Sequence, residues 1–403
     1  MNSKRLTYLF IFVLNAFLGP QCTHAQFVNL VEYDEIITGA QQTPLYLTFL
    51  EGKNVGVVTN QTGLIGKVHL VDTMIASGVN IIKVFTPEHG FRGDHDAGAL
   101  VLSTKDEKTG LTIISLYGKK KKPEKSDLDN IEIMVFDLQD VGVRFYTYIS
   151  TLTYVMEACA ENNIPFIVLD RPNPNGYYID GPVLDPAYKS FVGLHPVPIV
   201  YGLTIGEYAR MVNGESWLSN GNKCQLTVIP LKNYDRNTIF KLPVKPSPNL
   251  PTWESVYLYP SLCFFEGTIV SVGRGTDFPF QAFGHPDLLS GNFTFVPKPI
   301  KGVSSNPVQE NKLCNGFLLK DYAWEFQNHP KKLNINWLID AYHQLSGKSS
   351  FFNQYFNTLA GTDQLRKQIE DGMTAEKIAE SWKNELDTYK NIRVKYLIYP
   401  DFK

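Results

Sequence analysis

The stretch IIKVFTPEHGFRGDHDAG, residues 81 to 98, decides how this chain is organised. It begins with apolar residues that predict a buried β-strand, and it breaks at Pro87, directly before a carboxylate, an imidazole and glycines. In open α/β sheets ligands bind at the carboxyl ends of the strands, so the loop is a candidate site. Its polar residues are Glu88, His89, Arg92, Asp94, His95 and Asp96. A solvated connection would also explain this loop, and spacing alone leaves both interpretations open.

Strands alternate with helices on both sides of this stretch. Residues 54–60, 112–116, 131–138 and 165–169 have the pattern of strands, whereas residues 69–77 and 147–162 have that of helices. Several strands are apolar on both faces, which is typical of a parallel sheet. The sequence therefore predicts an α/β fold with a Rossmann-like, mostly parallel sheet. No G-x-G-x-x-G or Walker sequence follows any strand, so we expect no nucleotide cofactor.

The chain has 403 residues, which favours two domains with a cleft between them. The segment at residues 232–253 is Pro-rich and irregular, as in a linker or an ordered crossover. We therefore predict a Rossmann-like catalytic domain at residues 26–240. A smaller α+β domain at residues 241–403 would complete the cleft, with amphipathic helices at 335–345 and 374–389.

The N-terminal residues predict export. Two basic residues precede an apolar run at residues 6–18, and Ala25 is suited to signal-peptidase cleavage, so residues 1–25 read as a signal peptide. The mature protein would be periplasmic or secreted. Lipoprotein anchoring through Cys22 is the less favoured branch, because Pro20 stands where a lipobox requires a small residue. No later run of 18 apolar residues exists, so we expect no membrane insertion after cleavage.

The net charge and the cysteine content bear on possible binding partners and on disulfide bonding. A net charge of -2 offers no electrostatic footprint for nucleic acid, and the basic run at residues 119–122 reads as a solvated loop tip. The mature chain keeps four widely spaced cysteines, for which buried free thiols are the default and at most one pairing is possible. They are Cys159, Cys224, Cys263 and Cys314.

Two further strand ends carry polar clusters. Residues 131–138 lead into Asp137, Gln139, Asp140, Arg144 and Tyr146, and residues 165–169 lead into Asp170, Arg171 and Asn173. Three consecutive strands thus finish in polar side chains, as expected of a ligand site at one sheet edge. Each aspartate taken singly could instead be a helix cap or an ion-pair partner.

Charged residues also stand among glycines and aromatics in the second half. These residues are Glu266, Arg274, Thr276 and His285. Flat aromatic rings beside planar donors suit a sugar-binding cleft, although most of the rings could equally form core. His89, Asp94, His95 and Asp96 could form a zinc site, but their spacing lacks the helical geometry of familiar motifs, so we assign no metal.

Seven motifs of this chain resemble the NamZ-type exo-β-N-acetylmuramidases, a family of glycoside hydrolases. They are TNQTGL (59–64), FTPEHGFRGDHDAG (85–98), SLYG (115–118), FDLQDVGVRFYTYISTL (136–152), LDRPNPNG (169–176), PSPNLP (246–251) and EGTIVSVGRGTDFPFQAFGHP (266–286). The resemblance implies a Rossmann-like domain, a smaller C-terminal domain and an active site at their interface. It also implies release of N-acetylmuramic acid from the non-reducing end of peptidoglycan fragments, with no nucleotide and no obligatory metal.

The residues suit that chemistry. Glycoside hydrolysis needs a carboxylic acid to protonate the leaving oxygen, and Glu88, flanked by Pro87 and Phe91, is our candidate. Asp137, Asp140, Asp170 and Glu266 compete for the role of second carboxylate. The sugar's 2-acetamido group could be the nucleophile instead. The lactyl carboxylate of muramic acid requires a forked donor, for which Arg144, Arg171 and Arg274 are candidates. The other polar residues of these motifs are assigned to substrate binding: His89, Arg92, Gln139, Tyr146, Asn173, Thr276 and His285.

Two functions from other protein classes also fit the sequence. One is a non-catalytic exported binding protein for cell-wall amino sugars, because a two-lobed α/β chain with a signal peptide also describes that group. The other is a metal-dependent amidase or deacetylase acting on the same material. Turnover of a muramyl glycoside would distinguish the first alternative, and activity after chelation would distinguish the second.

Overall fold

The computed structural model describes residues 35–88, 90–92, 104–238, 240–325, 330–345 and 350–402. Its strands are β1 (Asn54–Thr59), β2 (Leu64–Ile65), β3 (Val68–His69), β4 (Asn80–Thr86), β5 (Thr104–Lys105), β6 (Thr112–Ser115), β7 (Ile133–Asp137), β8 (Phe166–Leu169), β9 (Leu226–Ile229), β10 (Ala282–His285), β11 (Phe293–Phe295) and β12 (Cys314–Leu318). Its α-helices are α1 (Leu47–Leu50), α2 (Leu70–Ala76), α3 (Tyr148–Glu161), α4 (Ile205–Gly214), α5 (Trp253–Leu262), α6 (Lys320–Trp324), α7 (Asn336–Leu345), α8 (Tyr355–Ala360), α9 (Gln364–Glu370), α10 (Ala375–Ser381) and α11 (Lys383–Arg393).

Seven strands form the central sheet, in the order β5-β6-β4-β1-β7-β8-β9. Neighbouring strands are parallel except for the edge pair β5–β6. From β1 the chain proceeds outward to β4 and β6, then returns to place β7, β8 and β9 on the other side of β1. This reversal is the topological switch point at which ligands of doubly wound sheets bind. The predicted α/β fold with a mostly parallel sheet is confirmed.

Both faces of the sheet are covered, which explains why its central strands are mostly apolar. On one face Val55 and Val57 of β1 pack in a cluster with Met74 of α2. On the other face Val58 belongs to a larger cluster with residues of α3 and α4. Side chains alternate along a strand, so only a strand apolar at consecutive positions can serve both layers.

The C-terminal part of the chain has a second sheet and a set of helices. Strands β10, β12 and β11 form an antiparallel sheet in that order. This smaller α+β region agrees with the predicted fold class. One predicted helix is wrong in detail, because residues 374–389 form two helices, α10 and α11, with Trp382 at the junction.

Helix α11 and the segment after it return to the carboxyl edge of the central sheet. The Tyr389 hydroxyl donates to the Tyr201 carbonyl at 2.6 Å, and Arg393 Nη2 donates to the Gly202 carbonyl at 2.7 Å. The Tyr399 hydroxyl donates to Asp170, at the end of β8, at 2.5 Å. These bonds join residues far apart in sequence into one compact unit that begins at Ile36.

The predicted domain boundary stays a prediction. In the described part of residues 230–252 the chain forms turns and isolated bridges without a helix or strand, and α5 begins at Trp253. The four mature-chain cysteines are buried and free, which confirms the default expected from their spacing. Among the described residues no helix is long and apolar enough to cross a membrane. The signal-peptide prediction, including Cys22, lies outside the described residues.

A buried histidine joins α3 to the loops behind the sheet. His195 Nε2 and the Thr153 hydroxyl are 3.2 Å apart, and the imidazole stacks on Trp217 at 5.1 Å between ring centroids. Burial, with a smaller contribution from the positive charge of Lys189, lowers the pKa of His195 to about 3. The folded protein therefore holds this imidazole neutral.

That burial predicts a specific acid sensitivity. Below about pH 6.5 the unfolded chain binds a proton on His195, whereas the folded protein binds that proton only near pH 3. The free energy of unfolding therefore falls as the pH is lowered between these two values. At pH 5 the loss is on the order of 2 kcal/mol. We expect His195→Phe, which keeps a ring against Trp217, to show a smaller drop in urea-derived free energy of unfolding between pH 7 and pH 5. Equal drops in the two proteins would contradict this assignment.

Candidate active site

A cleft of about 660 Å³ opens at the carboxyl edge of the central sheet. Its volume lies in the range typical of small-ligand sites. The loops after β4, β6 and β7 line one side, and α5, residues 266–280 and α8 line another. The lining residues are Glu88, Tyr117, Gly118, Lys121, Phe145, Tyr146, Thr147, Tyr148, Ser190, Phe191, Val192, Ser247, Asn249, Leu250, Tyr259, Glu266, Arg274, Phe280, Tyr355 and Thr358.

Glu88 reaches this cleft because Pro87 ends β4 directly before it. Proline has no N–H to donate to the sheet, so the strand cannot continue and the next side chain is presented at the edge. The Tyr117 side chain, from the loop after β6, is hydrogen-bonded to Glu88. Burial raises the pKa of Tyr117, and the Glu88 carboxylate raises it further. Tyr117 therefore remains a phenol that donates to Glu88.

Glu266 lines the same cleft from the C-terminal side. It lies in the 3-10 turn Cys263–Gly267, and its Oε1 atom accepts a hydrogen bond from Arg274 Nη1 at 2.6 Å. The turn packs tightly on α8, since a Cβ on Gly267 would lie only 2.5 Å from the Phe356 Cα. Glycine at this position thus allows the close approach that fixes Glu266.

Arg274 is close to both carboxylates. Burial lowers the pKa of Arg274, but the charge and hydrogen bond of Glu266, and more weakly the charge of Glu88, raise it by more. The net result is a raised pKa. One guanidinium therefore lies within electrostatic range of the two acids in the cleft. Such an arrangement stabilises negative charge on either carboxylate and fixes the orientation of Glu266.

Aromatic side chains form much of the remaining wall. The hydroxyls of Tyr146 and Tyr148 both donate to the Pro246 carbonyl, at 2.9 and 3.3 Å. Tyr259 and Phe280 meet edge to face with their ring centroids 4.9 Å apart. Rings fixed in this way provide flat apolar surfaces beside polar edges, which suits the faces and hydroxyl rim of a sugar.

The other candidate carboxylates are buried behind the cleft and do not line it. Asp137 is 0% exposed and accepts two hydrogen bonds from Arg171, at 2.5 and 2.9 Å. Burial raises the pKa of Asp140 to about 6, and this carboxylate accepts hydrogen bonds from the Gly142 amide and the Tyr201 hydroxyl. The hydrogen bonds of Asp137 and Asp140 thus hold the loops at the sheet edge, and neither carboxylate lines the cleft.

Asp170 has the most internal partners of the three aspartates. It accepts hydrogen bonds from the Thr204 hydroxyl, the Gly206 amide and the Tyr399 hydroxyl. Burial raises the pKa of Asp170 to about 6. This side chain joins the end of β8 to the start of α4 and to the returning C-terminal segment. On this geometry Glu266 is the second carboxylate that faces the cleft together with Glu88.

Two of the three candidate arginines, Arg144 and Arg171, are buried behind the cleft and bind other parts of the protein. Arg144 is 0% exposed, and burial lowers its pKa to about 9. Its Nη1 atom donates to the carbonyls of Pro182 and Val197, and its Nη2 atom to those of Leu359 and Ala360. Arg171 is bound to Asp137. Arg274 is the candidate arginine that lines the cleft.

The remaining predicted binding residues divide between the cleft and the loops behind it. Tyr146 lines the cleft. Arg92 is paired with Asp106, Gln139 donates to the Asp140 and Pro172 carbonyls, Asn173 donates to the Leu203 carbonyl, the Thr276 hydroxyl donates to the Gly273 carbonyl, and His285 accepts from the Asp287 amide. None of these five lines the cleft. His89 lies outside the described residues.

Several lining residues were not singled out from the sequence. Tyr117 stood in the quoted SLYG motif, and Lys121 in the basic run at residues 119–122. Asn249 stood in the quoted PSPNLP motif, whereas Phe191 and Tyr355 carried no signal, since a lone aromatic residue is usually structural. Within the described part of the chain no group of three or more His, Cys, Asp or Glu residues could hold a metal. The four residues that could form a zinc site by sequence, His89, Asp94, His95 and Asp96, lie outside that part.

Comparisons with known proteins agree along the chain. Residues 55–254 match a family model described as exo-beta-N-acetylmuramidase NamZ, N-terminal, and residues 257–399 match its C-terminal counterpart. A curated relative from Bacillus subtilis (strain 168), the peptidoglycan beta-N-acetylmuramidase NamZ, is 41% identical over 382 residues, which cover 88% of this chain and 89% of that protein.

Two crystal structures from Bacteroides fragilis NCTC 9343, each described as a DUF1343 family protein, have the same fold. One has a TM-score of 0.84 at 46% identity and covers 91% of this chain and 100% of its own. The other has a TM-score of 0.74 at 30% identity and covers 91% of this chain and 99% of its own.

The buried pair behind the cleft generates a stability prediction. Arg171→Met leaves the Asp137 carboxylate buried without its partner, so we expect the free energy of unfolding to fall by about 3–5 kcal/mol. The double variant Asp137→Asn/Arg171→Met removes the orphaned charge and should recover part of that loss. Urea denaturation of the two variants measures both values. A double variant no more stable than Arg171→Met would show that the orphaned charge is not the cause.

Proposed function

The chain belongs to the NamZ family of exo-β-N-acetylmuramidases, and on that premise we propose that Glu88 and Glu266 are the carboxylates with which it hydrolyses its substrate. It is a glycosidase that releases N-acetylmuramic acid from peptidoglycan-derived material. Neither a non-catalytic binding protein nor a metal-dependent amidase or deacetylase finds support in the comparisons. The preferred fragment, a MurNAc-GlcNAc unit cleaved at its non-reducing end, is part of the proposal.

One observation carries the residue assignment: Glu88, Glu266 and Arg274 line a single aromatic cleft. Glu88 is the proposed general acid. In its protonated form the side chain gives its proton to the glycosidic oxygen as the bond to the sugar breaks. Tyr117, which donates to Glu88, would fix the orientation of the carboxyl group.

Glu266 is the proposed second group. Held by Arg274 at 2.6 Å, its carboxylate is oriented to stabilise the positive charge that develops on the sugar ring. The same position suits a carboxylate that activates water or that orients the sugar's own 2-acetamido group for attack. Under all these routes Arg274 acts through Glu266 as a positioning residue.

The direct test is turnover by the purified protein. A chromogenic β-N-acetylmuramyl glycoside should release its phenol, and a MurNAc-GlcNAc disaccharide should yield the two free sugars. The matched GlcNAc-MurNAc disaccharide, in which the muramic acid is at the reducing end, should not be cleaved. Saturable binding without release would remove the catalytic proposal, and cleavage of both disaccharides would remove the exo-acting specificity.

Replacing either proposed carboxylate should remove turnover without unfolding the protein. We expect Glu88→Gln to lower kcat by roughly 10² to 10⁴, because the amide cannot donate the proton. Glu266→Gln should lower it by a comparable amount. Both side chains face the cleft, so the melting temperature should change little. Glu107→Gln, an exposed glutamate outside the cleft, is the matched control and should keep wild-type rates. Near wild-type kinetics in Glu88→Gln would assign the acid role to another group.

Export is a separate proposal, supported by the N-terminal sequence. The basic residues, the apolar run at residues 6–18 and Ala25 together indicate cleavage before Gln26 and a periplasmic or secreted enzyme without membrane insertion. N-terminal sequencing of protein recovered from the extracytoplasmic fraction should begin at Gln26, and Cys22→Ala should leave that fraction unchanged. Uncleaved protein in the cytoplasm, or loss of the exported form in Cys22→Ala, would contradict the proposal.

A further inference from the structure

The basic run at residues 119–122 is divided by the structure into paired and unpaired lysines. Lys120 is ion-paired with Asp127 at 2.9 Å, and Lys122 with Glu161 at 2.7 Å. Lys119 is exposed and outside the cleft. Lys121 lines the cleft, and no carboxylate in the described part of the chain lies within 4 Å of its ammonium group. The run is therefore more than a solvated loop tip.

Lys121 is held in place by an aromatic ring. Its Nζ atom lies 4.4 Å from the centroid of Phe191, which also lines the cleft. Phe191 in turn stacks on Tyr154 of α3, with 6.1 Å between centroids and 5° between planes. A cation–π contact positions the ammonium without neutralising its charge. A lysine restrained in this way loses less side-chain freedom when it binds an anion.

The other basic side chain that lines the cleft is already committed. Arg274 donates to Glu266 at 2.6 Å. Among the lining residues, Lys121 is thus the cation without an internal carboxylate partner. It follows Tyr117, the residue that is hydrogen-bonded to Glu88, by four positions on the same loop. An anion on a substrate whose scissile bond is presented to Glu88 would be within the reach of this loop.

We propose that Lys121 is a specificity-determining residue that pairs with a carboxylate of the muramic acid substrate. This inference rests on the proposed function and names how the cleft distinguishes an acidic amino sugar from a neutral one. The carboxylate belongs either to the lactyl group of an unsubstituted sugar or to a peptide attached to that group. Both sources present the same chemistry, a carboxylate on a flexible arm beside the sugar ring.

The test uses three substrates that differ only in this arm. They are an aryl β-N-acetylmuramyl glycoside with a free lactyl carboxylate, its neutral lactyl methylamide, and the same glycoside with a dipeptide amide-linked to the lactyl group and a free terminal carboxylate. Lys121→Ala should lower kcat/KM roughly 10- to 100-fold where a carboxylate is read and leave the methylamide unchanged. Lys121→Arg should retain most of the preference. Lys119→Ala is the matched control and should equal wild type on all three.

The outcomes separate the two sources and the two proposals. A loss confined to the free lactyl glycoside, or one confined to the dipeptide form, supports the pairing and identifies its source. An equal loss on all three substrates, or no loss on any, overturns it. If wild-type protein turns over none of them, the proposed function fails. In that case calorimetry tests the pairing independently of turnover. The affinities of wild type and Lys121→Ala for N-acetylmuramic acid and for its methylamide are compared, and a loss of affinity confined to N-acetylmuramic acid supports the pairing.

Discussion

The buried guanidinium of Arg144 is the interaction on which the cleft depends. It is fixed by carbonyl oxygens from the segment around Pro182, from Val197 and from the last turn of α8. Backbone carbonyls accept from both terminal nitrogens and offset part of the cost of burial, whereas the Nε atom has no hydrogen-bond partner among the described residues. At a pKa of about 9 it stays charged at neutral pH, although burial has lowered the value. Arg144 thereby joins the loop after β7 to the last turn of α8, and residues of both segments line the cleft.

Acidic residues in and around the cleft divide into two groups. One group, including Asp137, Asp140 and Asp170, is bonded inward and holds the loops in shape. The other, including Glu88 and Glu266, faces the cleft. The first group accepts hydrogen bonds from buried amide, hydroxyl and guanidinium groups that would otherwise carry a desolvation cost. The carboxylates that line the cleft are thus accompanied by others that lie behind it and serve the fold.

The sequence was most informative where one physical effect dominates. Runs of apolar residues identified five strands of the central sheet, β1, β4, β6, β7 and β8, and their ends agree to within about two residues, because burial on both faces leaves little room for polar side chains. Helix α4 was not predicted, although a capping box at Thr204 and Glu207 marks its N-terminus. At the strand ends the sequence could not separate Glu88 from Asp137. Both are carboxylates after a strand, and only the three-dimensional neighbours reveal that Arg171 covers one of them.

The return of the chain from α11 to the sheet also sets an order of events during folding. Asp170 ends β8, yet the Tyr399 hydroxyl that completes its shell is synthesised 229 residues later. Glu207 likewise awaits the Ile398 amide. A nascent chain that has produced the whole central sheet thus still carries incompletely satisfied acidic groups at its edge, and such contacts of long sequence separation form slowly. The contacts of Ile398 and Tyr399 with the edge of the sheet can therefore form only after nearly the whole chain has been synthesised.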